Sequence, residues 1–200
     1  MVVLYLDTNL VIAGIEKTPL THKLTELQKF AGEKGHELVS SELSLIEALR
    51  ILRQCEYLRD CIESRLAPME IEWRPSSMRF TQQMFENASL KLAAWENSNS
   101  KKGGVRILPL GDEVGRISRQ LAGKTSLHAE DLLHVSTAVY SSFKVYTCPA
   151  FFLSSDERLV TSAREDGLSK LIHTVYGTTL RFTLVTKKTG LRSLVREIKP

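Results

Sequence analysis

The chain opens on an uninterrupted apolar run, Val2 to Leu6, that stops at Asp7. A short run of this kind, rich in β-branched residues, predicts a strand buried on both faces, as in a parallel sheet, with Asp7 at its carboxyl end. Over residues 19–35 the apolar positions Leu20, Leu24, Leu27, Phe30 and Ala31 recur at helical spacing, and residues 36–40 read as a second strand. A helix over 42–58 follows. Residues 56–103 are expected to form a helical elaboration, with helical stretches over 57–66 and 78–95 broken near Pro68 and Pro75. Asn97 to Gly104, rich in turn formers and ending in two glycines, predicts a loop that closes it.

In the second half, residues 105–108 predict a strand, 112–121 a helix, and Ser126 an N-cap for a helix over 127–141. Strand signals return at Val145 and Phe151. A helix over 157–166 is expected to stop at Gly167, and residues 171–175 read as another strand. Alternating Leu180, Phe182 and Leu184 predict an extra edge strand ahead of a basic tail carrying Lys187, Lys188, Arg192, Arg196 and Lys199. Strands alternating with helices predict an α/β fold with a central, mainly parallel sheet. One domain is expected over residues 1–180, with 181–200 as a basic extension.

Composition narrows the class. Hydrophobic residues at 42% and charged residues at 25% are those of an ordinary folded protein, which removes disordered, collagenous and coiled-coil readings. Cys55, Cys61 and Cys148 are odd in number and form no CxxC pair, so neither a disulfide framework nor a common zinc spacing is offered. A reducing, cytoplasmic location is expected, and the first apolar run is too short for a membrane span. The net charge of +4 suits a polyanionic partner without demanding one.

Candidate chemistry rests on four acids. In open α/β sheets ligands bind beyond the carboxyl ends of strands, and Asp7 and Asp156 fall at two such ends, although either could simply cap a turn or helix. Glu47 interrupts Leu43-Ser-Leu-Ile-Glu47-Ala-Leu-Arg50-Ile-Leu, a stretch apolar nearly all round and expected to be buried on most faces. A carboxylate there is costly unless a cation meets it or Arg50, three residues on, pairs with it. Asp131 shares a helix face with Val135 and Ala138, although a first-turn acid is also favoured by the helix dipole. Two carboxylates about 5 Å apart repel by roughly 3 kcal/mol at an effective dielectric of about 20, so four together need compensation. Mg²⁺ or Mn²⁺, hard cations that prefer oxygen ligands, would supply it, and such sites hydrolyse phosphodiesters with a metal-activated water.

These residues lie in motifs that resemble the PIN-domain family, which includes the ribonuclease toxins of toxin–antitoxin pairs. The matches are Tyr-Leu-Asp7-Thr8-Asn9, Ser41-Glu-Leu-Ser-Leu-Ile-Glu47 before Arg50, Asp131-Leu-Leu-His134-Val-Ser-Thr137-Ala138, and Phe-Leu-Ser154-Ser-Asp156-Glu-Arg-Leu159, in the family's order. The resemblance implies a three-layer α/β/α fold and a metal-binding quartet of Asp7, Glu47, Asp131 and Asp156. It also implies that Thr8 and Asn9 support the first acid and that Ser154 brings a hydroxyl to the site. It further implies an RNA substrate, a separate antitoxin protein and a homodimer. It covers residues 1–55 and 104–175, and the 131 − 47 = 84 positions between Glu47 and Asp131 exceed the spacing of compact toxin-like members.

Other residues have two readings. His134, inside an apolar helical run, is read as a hydrogen-bonded packing histidine outside the catalytic set. Trp73, Trp95, Tyr57 and Phe80 are read as core in preference to base-stacking platforms. Arg74, Arg79, Lys101, Lys102, Lys187 and Lys188 are solvated surface or phosphate contacts, with Lys101 and Lys102 beside their glycines the best placed to meet RNA. A catalytically silent RNA- or protein-binding module would fit the same fold, but all four acids are present. An aspartate-nucleophile phosphotransferase would want an acid where Asn9 stands.

Overall fold

The computed structural model describes residues 1–99, 104–186 and 188. Its centre is one five-stranded sheet, formed by β1 (Val3–Leu6), β2 (Glu37–Ser41), β3 (Val105–Leu108), β4 (Ala150–Ser154) and β5 (Leu180–Leu184). The strand order is β3-β2-β1-β4-β5 and every pairing is parallel. All four residues of β1 are fully buried, as the unbroken apolar run requires of a central strand. The alternation of side chains divides the core. Val3, Tyr5 and Phe152 pack on one face with α5 (Asp112–Ala122), α6 (Ala129–Tyr140), α7 (Glu157–Glu165) and α8 (Leu168–Tyr176). Leu4, Leu6, Phe151 and Leu153 pack on the other with α1 (Thr8–Ile15), α2 (Thr21–Lys34) and, through Ala48 and Trp95, α3 (Glu42–Glu63) and α4 (Gln82–Asn99). The result is the three-layer α/β/α arrangement.

The middle of the chain is built into this core. α3 is one continuous helix of 22 residues that carries Glu47 near its start and runs past the expected boundary at 56. α4 returns antiparallel to pack on it, joined by a segment with a short 3₁₀ turn at Pro68–Glu70. Glu56, 6% exposed, is the electrostatic knot. It accepts from Lys91 Nζ at 2.7 Å, from Asn87 Nδ2 at 3.2 Å and from Arg59, and Lys91 also meets Glu16, the residue at the end of α1. Three helices are thereby tied together.

Several expectations are corrected. Residues 171–175 form no strand but the middle of α8, because Leu168, Ile172 and Tyr176 bury one face at helical spacing between Gly167 (φ 62) and Gly177 (φ 67). Val145 ends a π-helical turn, Ser141–Val145, that continues α6. Ser126 does not cap α6, which starts later at Ala129; its N–H and hydroxyl instead donate to Asp166 Oδ2, at 2.7 and 3.0 Å. α1 was not foreseen, and α4 extends through Asn99 into the expected loop. Trp73 is 60% exposed and not core, whereas Trp95 is buried against α1. The edge strand at 180–184 is present as β5. Lys101, Lys102 and Lys187 lie outside the described residues, as do 189–200.

Candidate functional site

The sheet's order reverses direction at β1, between β2 and β4. Such a switch point opens a crevice beyond the carboxyl ends of its strands. Asp7 leaves β1 there and caps α1, its Oδ1 accepting from the Thr8 N–H at 2.8 Å. Asp156, just after β4, caps α7 by accepting from the Leu159 N–H at 3.1 Å. Both acids therefore perform the capping role weighed above while facing the crevice. Ser154 joins them, its hydroxyl donating to Asp7 Oδ2 at 2.6 Å and accepting from the Asp156 N–H at 2.9 Å.

Glu47 reaches the crevice from α3 and Asp131 from the first turn of α6. The α3 helix is buried on one face only, since Ile46 is 63% exposed, so the expectation of burial on most faces is corrected. Neither does Arg50 hold Glu47. The carboxylate oxygen Oε2 accepts from the Thr8 hydroxyl and lies 2.9 Å from His134 Nε2. Thr8 thus serves two acids, its amide Asp7 and its hydroxyl Glu47. Asn9 is exposed and lines a neighbouring groove with Ile12, Leu20 and Val185.

Electrostatics separate the four. Burial pushes the Asp7 carboxyl above its usual range, against the pull of His134, Ser154 and the Thr8 amide. Asp131 is also pushed up, first by burial and then by the negative charges of Asp7 and Asp156, which Arg158 and His134 only partly offset. Burial alone would raise Glu47, but hydrogen bonds from His134 and Thr8 hold it below the usual carboxylate range. The influence of the Asp7 and Asp156 charges on Asp131 puts residues 7, 131 and 156 in one electrostatic neighbourhood, with Glu47 attached to Asp7 through His134 and Thr8.

The donor set fits a hard divalent cation: every acid offers oxygen, and the raised Asp131 carboxyl marks negative charge that a cation would neutralise. Among the described residues, no group of three or more His, Cys, Asp or Glu side chains is gathered closely enough to hold a metal ion. The residue whose place at the centre sequence reasoning missed is His134. It was rightly read as hydrogen-bonded and buried, at 2% exposure, yet it stands among the acids. The signal available was its offset of three from Asp131, which turns it toward the same side of α6.

A family model described as PIN domain matches residues 4–164, a span that includes the middle helices. Among solved structures, the fold is similar to one described as the crystal structure of VapBC2 from Rickettsia felis bound to a DNA fragment from their promoter. That likeness has a TM-score of 0.50 at 13% identity and covers 90% of this chain and 98% of that chain. Comparison with curated proteins returns no match. No helix among the described residues is long and apolar enough to cross a membrane.

Proposed function

Because the chain belongs to the PIN-domain family, whose members are generally nucleases, we propose that it is an endoribonuclease dependent on Mg²⁺ or Mn²⁺. The single observation that carries this reading is the acidic crevice at the β1/β4 switch point, where burial and then the charges of Asp7 and Asp156 raise Asp131. In it, Asp7, Glu47, Asp131 and Asp156 would hold the metal. A divalent cation bound there would supply an activated water for attack on the phosphodiester and would neutralise the charge that develops on the departing oxygen. The chain's own residues do the positioning. Ser154 fixes Asp7 relative to Asp156, Thr8 fixes Asp7 relative to Glu47, and the cap bonds at Thr8 and Leu159 hold both strand-end carboxylates in one rotamer.

RNA as the substrate follows from the sequence motifs shared with the ribonuclease toxins. With acids gathered in one crevice, the remaining surface of a +4 chain is more positive than the net figure, which favours a phosphate backbone. The same reading takes the protein as a homodimeric toxin with a separate antitoxin protein; the likeness to VapBC2 supports the pairing.

The test is cleavage of mixed single-stranded RNA and DNA pools by wild type and Asp7→Asn, with Mn²⁺, with Mg²⁺ and with chelator. Metal-dependent cleavage of RNA that Asp7→Asn abolishes is expected. Cleavage that persists in chelator, or a fully active Asp7→Asn protein, would overturn the mechanism. Preferential cleavage of DNA would overturn the substrate class, and RNA binding without cleavage in either metal would favour the silent module.

A further inference from the structure

His134 is the best-bonded side chain in the crevice and has no role in the scheme above. Its Nε2 lies 2.9 Å from Glu47 Oε2, 3.3 Å from Thr8 Oγ1 and 4.0 Å from Asp7 Oδ1. Its Nδ1 lies 2.8 Å from the Tyr5 hydroxyl, with Ser41 Oγ at 3.4 Å and Ser44 Oγ at 3.5 Å. Tyr5 is fully buried in the central strand, stacked on Phe152 with ring centroids 5.1 Å apart, and bonded at 2.9 Å to Ser41. The core thus anchors the far end of the imidazole.

The direction of these bonds follows from the acceptor. An ionised Glu47 carboxylate can only accept, so His134 must present Nε2–H to it. Nδ1 faces the Tyr5 oxygen at 2.8 Å, and the single Tyr5 O–H donates to Ser41 Oγ, so contacts run from Ser41 through Tyr5 and the imidazole to Glu47. The orientation of the ring is set by the protein. Thr8 and His134 land on the same glutamate oxygen, and among the described residues Oε1 receives no hydrogen bond. One oxygen is clamped and the other is presented.

We propose that Tyr5 and His134 form a positioning relay that runs from the sheet core to Glu47 and fixes its carboxylate with Oε1 toward the crevice. Neither residue touches substrate. The inference rests on the metal-binding reading of the four acids. Partners of this kind, bonded to a ligating side chain, characteristically change metal affinity by about 10- to 100-fold when removed.

The experiment measures Mn²⁺ affinity by isothermal titration and the imidazole ¹⁵N spectrum of the metal-free protein. The proteins are wild type, His134→Ala, His134→Gln, Tyr5→Phe, Glu47→Gln and the double variant Glu47→Gln/His134→Ala. Circular dichroism confirms that each is folded at the assay temperature. His134→Ala should weaken Mn²⁺ binding by at least about tenfold. His134→Gln, whose amide N–H can replace Nε2–H, should recover most of the loss, and Tyr5→Phe should show a smaller one. Added to Glu47→Gln, His134→Ala should cost little more, because the two share one pathway. The wild-type spectrum should show a protonated Nε2.

A folded His134→Ala protein that binds Mn²⁺ like wild type, additive losses in the double variant, or an unprotonated Nε2 in wild type would each overturn the relay. Wild type that binds no Mn²⁺ while keeping Nε2 protonated would overturn the metal reading beneath it, a pattern distinct from the other three. If His134→Ala does not fold, the glutamine variant and the wild-type ¹⁵N spectrum still decide.

Discussion

Asp131→Asn should make the metal-free protein more stable while removing its activity, because the side chain sits where its charge is unwelcome. Burial and the charges of Asp7 and Asp156 disfavour its ionised form, with Arg158 and His134 opposing them. Two unit charges about 5 Å apart repel by roughly 3 kcal/mol at an effective dielectric of about 20, and by less than half of that at a partly exposed, salt-screened position. The two repulsions together then cost roughly 2–2.5 kcal/mol, and the two weaker attractions leave about 1–1.5 kcal/mol of it. The lost charge also forfeits about 0.5 kcal/mol of helix-dipole stabilisation in the first turn of α6. A net gain of about 1 kcal/mol corresponds to a rise of about 2–4 °C in Tm for a domain of this length.

The sign with pH follows from linkage. A carboxyl raised in the folded state binds its proton more tightly there than in the unfolded chain. Asp131 therefore destabilises the fold increasingly as pH rises from the ordinary carboxylate value through its raised one, and fully above it. The advantage of Asp131→Asn should be present at pH 7 and fade toward pH 4. Thermal unfolding of both proteins in chelator at the two pH values measures it. Saturating Mg²⁺ should then raise wild type more than the variant, since the cation gains most from the fourth charge. A variant that melts at or below wild type at pH 7 in chelator would show that the acids do not repel one another, and the electrostatic argument for the crevice would fall.

Two further outcomes concern the helices behind the site. Gly14→Ala would put a Cβ 2.5 Å from Trp95 Nε1 and 2.8 Å from Leu24 Cδ2, so urea unfolding should show a loss of about 1–3 kcal/mol from overpacking. Glu56 is held below the usual carboxylate range: burial would raise it, but bonds from Lys91, Arg59 and Asn87 prevail. Its stabilisation is present above the ordinary carboxylate value and lost as pH falls through the lowered one. Glu56→Gln should therefore cost about 1–3 kcal/mol at pH 7 and less near pH 3, read by the same unfolding assay.

What the sequence disclosed was local. The unbroken run before Asp7 located a central strand, and strand ends located Asp7 and Asp156, because burial and strand position leave a mark within a few residues. Partners across the sheet leave none: Tyr5 and His134 are 129 positions apart, so beside the expected cation the side chain visible as a partner for Glu47 was Arg50, three residues on. The misread strand at 171–175 has a different cause. A five-residue window favours β-branched residues, whereas the buried set Leu168, Ile172 and Tyr176 shows its helical period only over nine. Ser126 was assigned to the helix beside it because its actual partner, Asp166, lies 40 residues away. As for the middle helices, Pro68 and Pro75 mark where α3 and α4 are joined, but the contacts of Trp95 and Lys91 with α1 and its terminus are what make them part of the core.

The complete burial of β1 has a kinetic meaning. For its amides to exchange with solvent, the strand must part from β2 on one side and β4 on the other, with helices covering both faces. Segments of that kind open last, close to the free energy of global unfolding, whereas many functional residues ride on loops that open early. Asp7 is attached directly to this segment, its N–H bonded to Leu153 O at 3.0 Å. Asp7 is thus expected to belong to the slowest-exchanging unit of the molecule, with its geometry enduring until the sheet itself comes apart.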